Sequence, residues 1–442
     1  MLNHMDKYLC TPASQPLDTV VSLPGSKSIT NRALIVAALA DGTSVLSGAL
    51  LAEDTRLMID ALKTLGIAVT VDEPGNTVEV TGCRGHLPAS EGRLFCGNAG
   101  TVMRFCTALV ATGFGLFELD GAERMRQRPI AKLVEVLQVL GAGVEYMGKE
   151  EYPPLRVRAG HLRGGHISFA SLESSQFVSA LMLVAPSARG DVLIEASGNM
   201  PSTPYLKMTT AVMDKFGVSV VEQYRPDNIR LIVPAPQHYA ATCFTIEPDA
   251  SGSTYFLAAP AIAGGKVTVK GVGTCSIQGD ARFVTVLERM GCRIERAADA
   301  LTVVGPAANK PLSGIDIDLN DMPDTVPTVA ALALFAAGPT TVRNVANLRL
   351  KESNRIDDLG DELCKLGARV DRRPDGLTIH PPDQLRPAAL DTHNDHRLAM
   401  SFALIGLRQS GVVINDPTCC AKTFPDFFRR WEHMCAPGPT MP

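Results

Sequence analysis

A short glycine-centred signature returns at a nearly constant period, and few folds accommodate that. The runs TLGIAV, VLGAGV, KFGVSV, RMGCRI and KLGARV carry Gly66, Gly141, Gly217, Gly291 and Gly367, so the successive spacings are 75, 76, 74 and 76 residues. Each run reads as an amphipathic helix that ends at a glycine and passes into a strand. A second series agrees: RALIVAALADG, CTALVATG, SALMLVAPSARG, YFLAAPAIAG, ALALFAAG and ALIGLRQSG end at Gly42, Gly113, Gly190, Gly264, Gly338 and Gly411. The chain therefore reads as six units of about 75 residues, the last without its final strand.

The two helices of a unit differ in kind. The first, as in TVAALALFAA, is apolar on nearly every face and must be buried; the second, as in RPIAKLVEVLQVL, keeps one polar side. Stretches such as GKVTVKGV, rich in β-branched residues and alternating in polarity, follow them. The expected unit is βαβαββ and the fold class is α/β, with helices inside and sheets outside. A solenoid also repeats, but its period is commonly ~20–50 residues and its ends are polar caps. Six units in two globular halves fit better.

At 442 residues the chain exceeds one ordinary core, and a composition 45% hydrophobic and 20% charged is that of a soluble globular enzyme. A net charge of −4 gives no bulk reason to expect nucleic acid or an acidic membrane surface as a partner, so any basic site must be local. Eleven cysteines, without C-x-x-C or Cys/His ligand spacing, read as reduced thiols and not as a disulfide frame or a metal site. The N-terminal run lacks a signal-peptide layout, and no apolar run approaches the ~20 residues of a membrane span. The expected location is cytoplasmic; Met1 and Met5 are alternative starts.

The stretch LPGSKSITNR, residues 23–32, has the flavour of a phosphate loop, but Ser26 precedes Lys27 and Val21 stands where the first glycine of a nucleotide P-loop belongs. A helix N-terminus able to hold another anion survives that test. Five further buried helices are entered through comparable polar segments, GNAGTVMR, SLESSQF, DASGST, DMPDTVPT and HNDHR. Helix capping explains their small polar residues. It leaves Lys27, Arg32, Arg104 and Arg397 unexplained, because a cation opposes the dipole at that end, and an anionic ligand accounts for them better. Arg128, Lys351, Arg355 and Lys422 recur just before the second helix of three units. Any one reads equally as an ordinary surface charge; together they suit a carboxylate or phosphate ligand. Asp324 and Glu352 are the acid/base candidates, with an N-cap role for Asp324 and a surface pairing with Arg355 for Glu352 as the plain alternatives.

LPGSKSITNRA, GNAGTVMR, RQRPI, SSQF, DASGSTYFLAA, QGD at Gln278 to Asp280, Pro323-Asp324, the run from Asn347 to Arg355, NDHR at Asn394 to Arg397 and KTFPDFF from Lys422 stand in an order that resembles the 5-enolpyruvylshikimate-3-phosphate synthase family of enolpyruvyl transferases. The resemblance spans the whole chain. It implies a two-domain inside-out α/β fold of three repeats per domain, one domain made of residues 1–24 and 246–442 and the other of 25–245, with the active site in the cleft and hinge closure over the ligands. It also implies transfer of the enolpyruvyl group of phosphoenolpyruvate to the 5-hydroxyl of shikimate 3-phosphate, with glyphosate as an inhibitor class, by a monomer needing no metal or other cofactor. By motif match, Lys27, Asn98, Gly100, Arg128, Gln176, Arg355, Arg397 and Lys422 surround phosphoenolpyruvate. Lys27, Ser28, Arg32, Ser174, Ser175, Gln176, Ser202, Tyr205, Asp324, Asn347 and Lys351 position shikimate 3-phosphate. Asp324, Glu352 and Lys27 carry the proton transfers.

Three positions depart from the family pattern. Phe105 replaces a common proline, Asn354 a common acid and His393 a frequent aromatic; none removes a charge assigned to catalysis. Gly100 resembles the glyphosate-sensitive form. The rival within the fold, transfer to UDP-N-acetylglucosamine, goes with Lys-Asn where this chain has Lys27-Ser28 and with a loop cysteine that ELDGAERMRQRP lacks. A catalytically silent anion-binding protein on the same repeats is the rival from another class.

Overall fold

In a computed structural model the described residues are 6–436, apart from 199, 226, 308 and 309; Met1 and Met5 lie outside them. Six sheets appear among these residues, and five have four strands in one common order. The second repeat shows the plan. Strand Glu91–Phe95 leads through the helix Gly100–Ala111 to Phe114–Asp120, which pairs with it in parallel; the helix Ala131–Val139 then leads to the hairpin Gly143–Tyr146 and Leu155–Gly160, whose second arm returns antiparallel to Phe114–Asp120. The parallel pair needs a helical crossover and the hairpin does not, which is the βαβαββ order.

The first and fourth repeats begin at the helix without a strand of their own before it, and each unit closes on itself to supply one. Cys243–Thr245 pairs in parallel with Thr43–Ser47 of the first repeat, and Leu17–Val21 pairs in parallel with Gly265–Lys270 of the fourth. The sixth repeat, short of a hairpin, has three strands: Ala389–Asp391 and Val413–Asn415 in parallel, completed by Lys7–Leu9 running antiparallel. These borrowed strands divide the chain into two compact units, Gly25–Glu247 and the remainder joined from Pro24 to Pro248. Gly25 opens the first of them, and no other residue fits there: a Cβ would lie 2.0 Å from the Gly48 carbonyl oxygen.

Within Gly25–Glu247 the helices Lys27–Leu39, Gly100–Ala111 and Gln176–Val184 pack on one another, and within the other unit Ala250–Ala263, Val326–Ala333 and His396–Gly406 do the same. All twelve residues of Gly100–Ala111 and all eleven of His396–Gly406 are buried. Mutual packing of three helices inside a shell of sheets explains sequences apolar on every face. The second helix of a repeat, such as Arg355–Lys365, buries Ile356, Leu359 and Leu363 and turns its other side to water. Each buried helix starts within its polar entry segment, so the fold sets those segments at the helix N-termini.

Candidate functional site

In the unit Gly25–Glu247, the Ser26 side chain caps the helix Lys27–Leu39, accepting from the Ile29 N–H at 3.5 Å. Lys27 Nζ lies 3.1 Å from Asp54 Oδ2, whose side chain is 1% exposed. Arg32 is buried, and its guanidinium donates to Thr209 Oγ1 at 2.8 Å, the Ser28 carbonyl at 2.9 Å, Ser179 Oγ at 3.1 Å and the Tyr205 carbonyl at 3.4 Å. The rings of Phe105 and Tyr205 lie 5.3 and 5.8 Å from its guanidinium carbon, so Phe105 packs against Arg32. Burial lowers the Arg32 pKa to about 10, still a cation at neutral pH. Ser202, buried and two residues after Met200, holds a left-handed φ of 60° and accepts from the Tyr205 N–H at 3.0 Å.

Gly100 gathers a second group in the same unit. A Cβ on Gly100 would fall 2.7 Å from Arg128 Nη2, 2.9 Å from Arg104 Nη1 and 3.1 Å from Gln176 Oε1. Arg128 Nη1 donates to the Asn98 carbonyl at 3.0 Å and to Asn98 Oδ1 at 3.3 Å, while Arg104 donates to the carbonyls of Gly100 and Pro129 at 3.3 and 3.0 Å. Ser174 Oγ accepts from the Gln176 N–H at 3.2 Å, and Ser175 is buried at the entrance of that helix. Two arginines and a glutamine amide thus converge around the one residue that presents no side chain. Such an arrangement suits a small anion.

In the other unit, Arg355 is the hub of a buried ion network. Its Nε donates to Asp395 Oδ2 at 2.7 Å, Nη1 to Asp324 Oδ1 at 2.9 Å, and Nη2 to Glu352 Oε2 at 2.9 Å and Asp395 Oδ1 at 3.2 Å. Asp324 also meets Arg397 Nη2 at 2.8 Å and Lys351 Nζ at 3.4 Å. Lys422 Nζ stands 4.0 Å from Glu352 Oε1. Burial opposes ionisation of Asp324, but Arg397, Lys351 and Arg355 outweigh it and hold the carboxyl well below its usual range. Asn347, buried, lies on the turn Ala346–Leu350 that packs against the Asp324 turn. Asp280 joins from the turn Gly279–Phe283, where the Ser251 hydroxyl donates to its Oδ2.

Two expectations are corrected. Asp324 is not an N-cap: it sits inside the turn Pro323–Thr325, and Thr325 occupies the cap of Val326–Ala333. The cations at the helix N-termini also have protein partners: Asp54 for Lys27, hydroxyls and carbonyls for Arg32, carbonyls for Arg104 and Asp324 for Arg397. Glu352 does pair with Arg355, but buried and not on the surface. The carboxylates that balance the cations, Asp54, Asp280 and Asp395, were not assigned roles from sequence. Asp395 carried a legible signal, an N-cap acid before an apolar run, and its side chain accepts from the Arg397 N–H at 2.9 Å. Asp54 stands with Glu53 in the first turn of the helix Glu53–Thr64, where acids are commonplace and carry no such signal.

These features place the chain among the enolpyruvyl transferases by fold. The solved EPSP synthase of Acinetobacter baumannii matches with a TM-score of 0.78 at 24% identity over 97% of this chain and 98% of that one. The enolpyruvyl transferase NikO of Streptomyces tendae matches with a TM-score of 0.74 at 18% identity over 97% of each chain. A family model described as EPSP synthase (3-phosphoshikimate 1-carboxyvinyltransferase) matches residues 12–431. The 3-phosphoshikimate 1-carboxyvinyltransferase of Nostoc punctiforme is 44% identical over 430 residues, 97% of this chain and 99% of that one; that of Shewanella halifaxensis is 44% identical over 414 residues, 93% and 96% of the two chains. The chain belongs to the EPSP synthase family.

Proposed function

We propose that this chain transfers the enolpyruvyl group of phosphoenolpyruvate to the 5-hydroxyl of shikimate 3-phosphate and releases phosphate. The observation that carries the proposal is the network in which one arginine, Arg355, orients Asp324 and Glu352 together while Lys351, Arg397 and Lys422 flank them. In this reading Lys27, Asn98, Gly100, Arg128, Gln176, Arg355, Arg397 and Lys422 contact phosphoenolpyruvate. Ser28, Arg32, Ser174, Ser175, Ser202, Tyr205, Asn347 and Lys351, together with Lys27, Gln176 and Asp324, contact shikimate 3-phosphate.

The residue types fit the chemistry. A proton is added to the methylene carbon, making it a methyl group, as the 5-hydroxyl oxygen bonds to the neighbouring carbon and loses its proton to Asp324. The tetrahedral ketal phosphate then collapses: the methyl group returns a proton and the C–O bond to phosphate breaks. Glu352, assisted by Lys27, carries the proton to and from that carbon. In the resting protein three cations make Asp324 a weak base. A substrate anion that engages Arg397 or Lys351 relieves this, so the base strengthens when the substrates are bound. The fixed guanidinium and ammonium groups stabilise charge on the departing phosphate. We take the protein to act as a cytoplasmic monomer, and its eleven free thiols suit a reducing compartment.

The test is phosphate release from phosphoenolpyruvate with either shikimate 3-phosphate or UDP-N-acetylglucosamine as acceptor. Release dependent on shikimate 3-phosphate is expected, and Glu352→Gln is expected to bind both substrates while losing roughly 10²–10⁴-fold in turnover. Release with the sugar nucleotide alone, or none with either acceptor, would refute the proposal; a Glu352→Gln variant of near-full rate would remove that residue from the mechanism.

A further inference from the structure

The turn that delivers Arg397 is fastened to the helix Arg355–Lys365 at two points. One is within the ion network, where Asp395 accepts from Arg355 at 2.7 and 3.2 Å. The other is Glu362, whose side chain is 2% exposed: its Oε2 accepts from the Asp391 N–H at 2.9 Å, and its Oε1 is 2.9 Å from His393 Nε2. Residues 355 and 362 are two turns apart on one face, roughly 10 Å along the axis. His393 and Asn394 both hold a left-handed backbone, with φ of 51° and 54°, uncommon for residues bearing a Cβ although Asn and His adopt it more often than most. The His393 imidazole ties this turn to Glu362.

We infer that His393 is a positioning residue that holds the Asp391–Arg397 turn against the Arg355 helix, and that it holds more firmly as a cation. The inference rests on the proposed role of Arg397 in substrate binding. With its proton on Nε2, neutral imidazole donates to Glu362 and leaves Nδ1 as an acceptor. Protonation makes Nδ1 a second donor, and that atom faces Asp358 Oδ1 at 3.7 Å. The charged groups around the ring are Asp358, Glu362 and Lys365 on the helix and Asp391 on the strand Ala389–Asp391, with Lys365 Nζ at 2.8 Å from Glu362 and 2.7 Å from Asp391. From the neighbouring strand Val413–Asn415 comes the amide of Asn415, which donates to Asp391; Asp416 just beyond accepts from Thr392 through its carbonyl and from Thr418 through its carboxylate.

Two substitutions separate the parts. His393→Gln keeps a donor for Glu362 without a charge, and His393→Phe removes both. The kinetic measurement is kcat and KM for phosphoenolpyruvate between about pH 5.5 and 8.5. The second measurement, on the ligand-free protein, is hydrogen exchange of the amides from Asp391 to Leu398, corrected for chemical exchange rate. His393→Phe is expected to raise KM roughly five- to tenfold with kcat unchanged and to speed exchange at the Arg397 amide. His393→Gln is expected to match the parent at the alkaline end of the range, where imidazole is neutral, and to fall behind it at the acid end, where imidazole is charged. Parental KM and exchange in the Phe variant, or superimposable pH profiles for the Gln variant and the parent, would overturn the inference. Exchange needs no substrate, so it separates a failed tie from a failed assignment of the reaction; should the Phe variant not fold, the Gln profile decides.

Discussion

Asp280 offers a prediction whose sign and size both follow from its surroundings. It is 2% exposed, and burial, then the charge of Asp324, push its carboxyl up to about 6 from an ordinary 3.8, against the pull of Ser251 and Arg397. An acid with a raised folded pKa binds its proton more tightly when folded. Its contribution to stability is full below about pH 3.8 and is lost as the pH rises through about 6. The difference, 6 − 3.8, is 2.2 units, or about 3 kcal/mol at ~1.36 kcal/mol per unit. Asp280→Asn keeps an acceptor for the Ser251 hydroxyl and abolishes the ionisation. Trp431, the single tryptophan, is 3% exposed and belongs to the same unit, so its fluorescence reports unfolding of that unit in urea. From about pH 4 to 7 the parent is expected to lose roughly 2–3 kcal/mol relative to the variant, leaving the variant the more stable at neutral pH. A difference that stays flat across that range, or one that grows in the parent's favour as pH rises, would refute the linkage.

Two further substitutions probe the groups around Gly100 and Arg355. Gly100→Ala puts a methyl 2.7 Å from Arg128 Nη2 and 3.1 Å from Gln176 Oε1, both the ends of flexible side chains. Stability should change by less than about 1 kcal/mol while KM for phosphoenolpyruvate rises roughly tenfold, and an unchanged KM in steady-state assays would separate Gly100 from the anion site. Asp395→Asn preserves the helix cap but turns an amide N–H₂ toward the Arg355 guanidinium. The expected loss is about 3–5 kcal/mol by urea unfolding, against well under 1 kcal/mol if the pair contributed only as a surface bridge does.

The repeat was legible because it depends on local signals: a glycine at each helix end, an apolar run, a strand after it. What closes each unit was not. Cys243–Thr245 and Lys7–Leu9 are three residues each, too short to show a period, and their places are set by pairing with strands nearly 200 and 400 residues away in sequence. The cations stood out for a similar reason to the glycines, since Lys27, Arg128, Arg355, Arg397 and Lys422 sit in recurring local contexts. Their partners are joined to them only by the fold, as Asp395 is to Arg355 across 40 residues.

That asymmetry changes how the ion network should be understood. The sequence reading pictures a cleft crowded with positive charge, waiting for anions. The unit that holds Arg355 instead sets four carboxylates of this network, Asp280, Asp324, Glu352 and Asp395, beside four cations, Lys351, Arg355, Arg397 and Lys422. Arg355 is bound on three edges, by Asp395, Asp324 and Glu352. Anions arriving at a balanced network must draw cations away from carboxylates or drive a proton onto one of them. Asp324 loses neutralising charge in the first case and becomes a better base; Asp280, already pushed up to about 6, is the carboxylate closest to accepting a proton in the second. The carboxylates therefore do more than hold the arginines in place: they set which group changes protonation when a polyanionic substrate binds, which is where a proton-transfer reaction needs control.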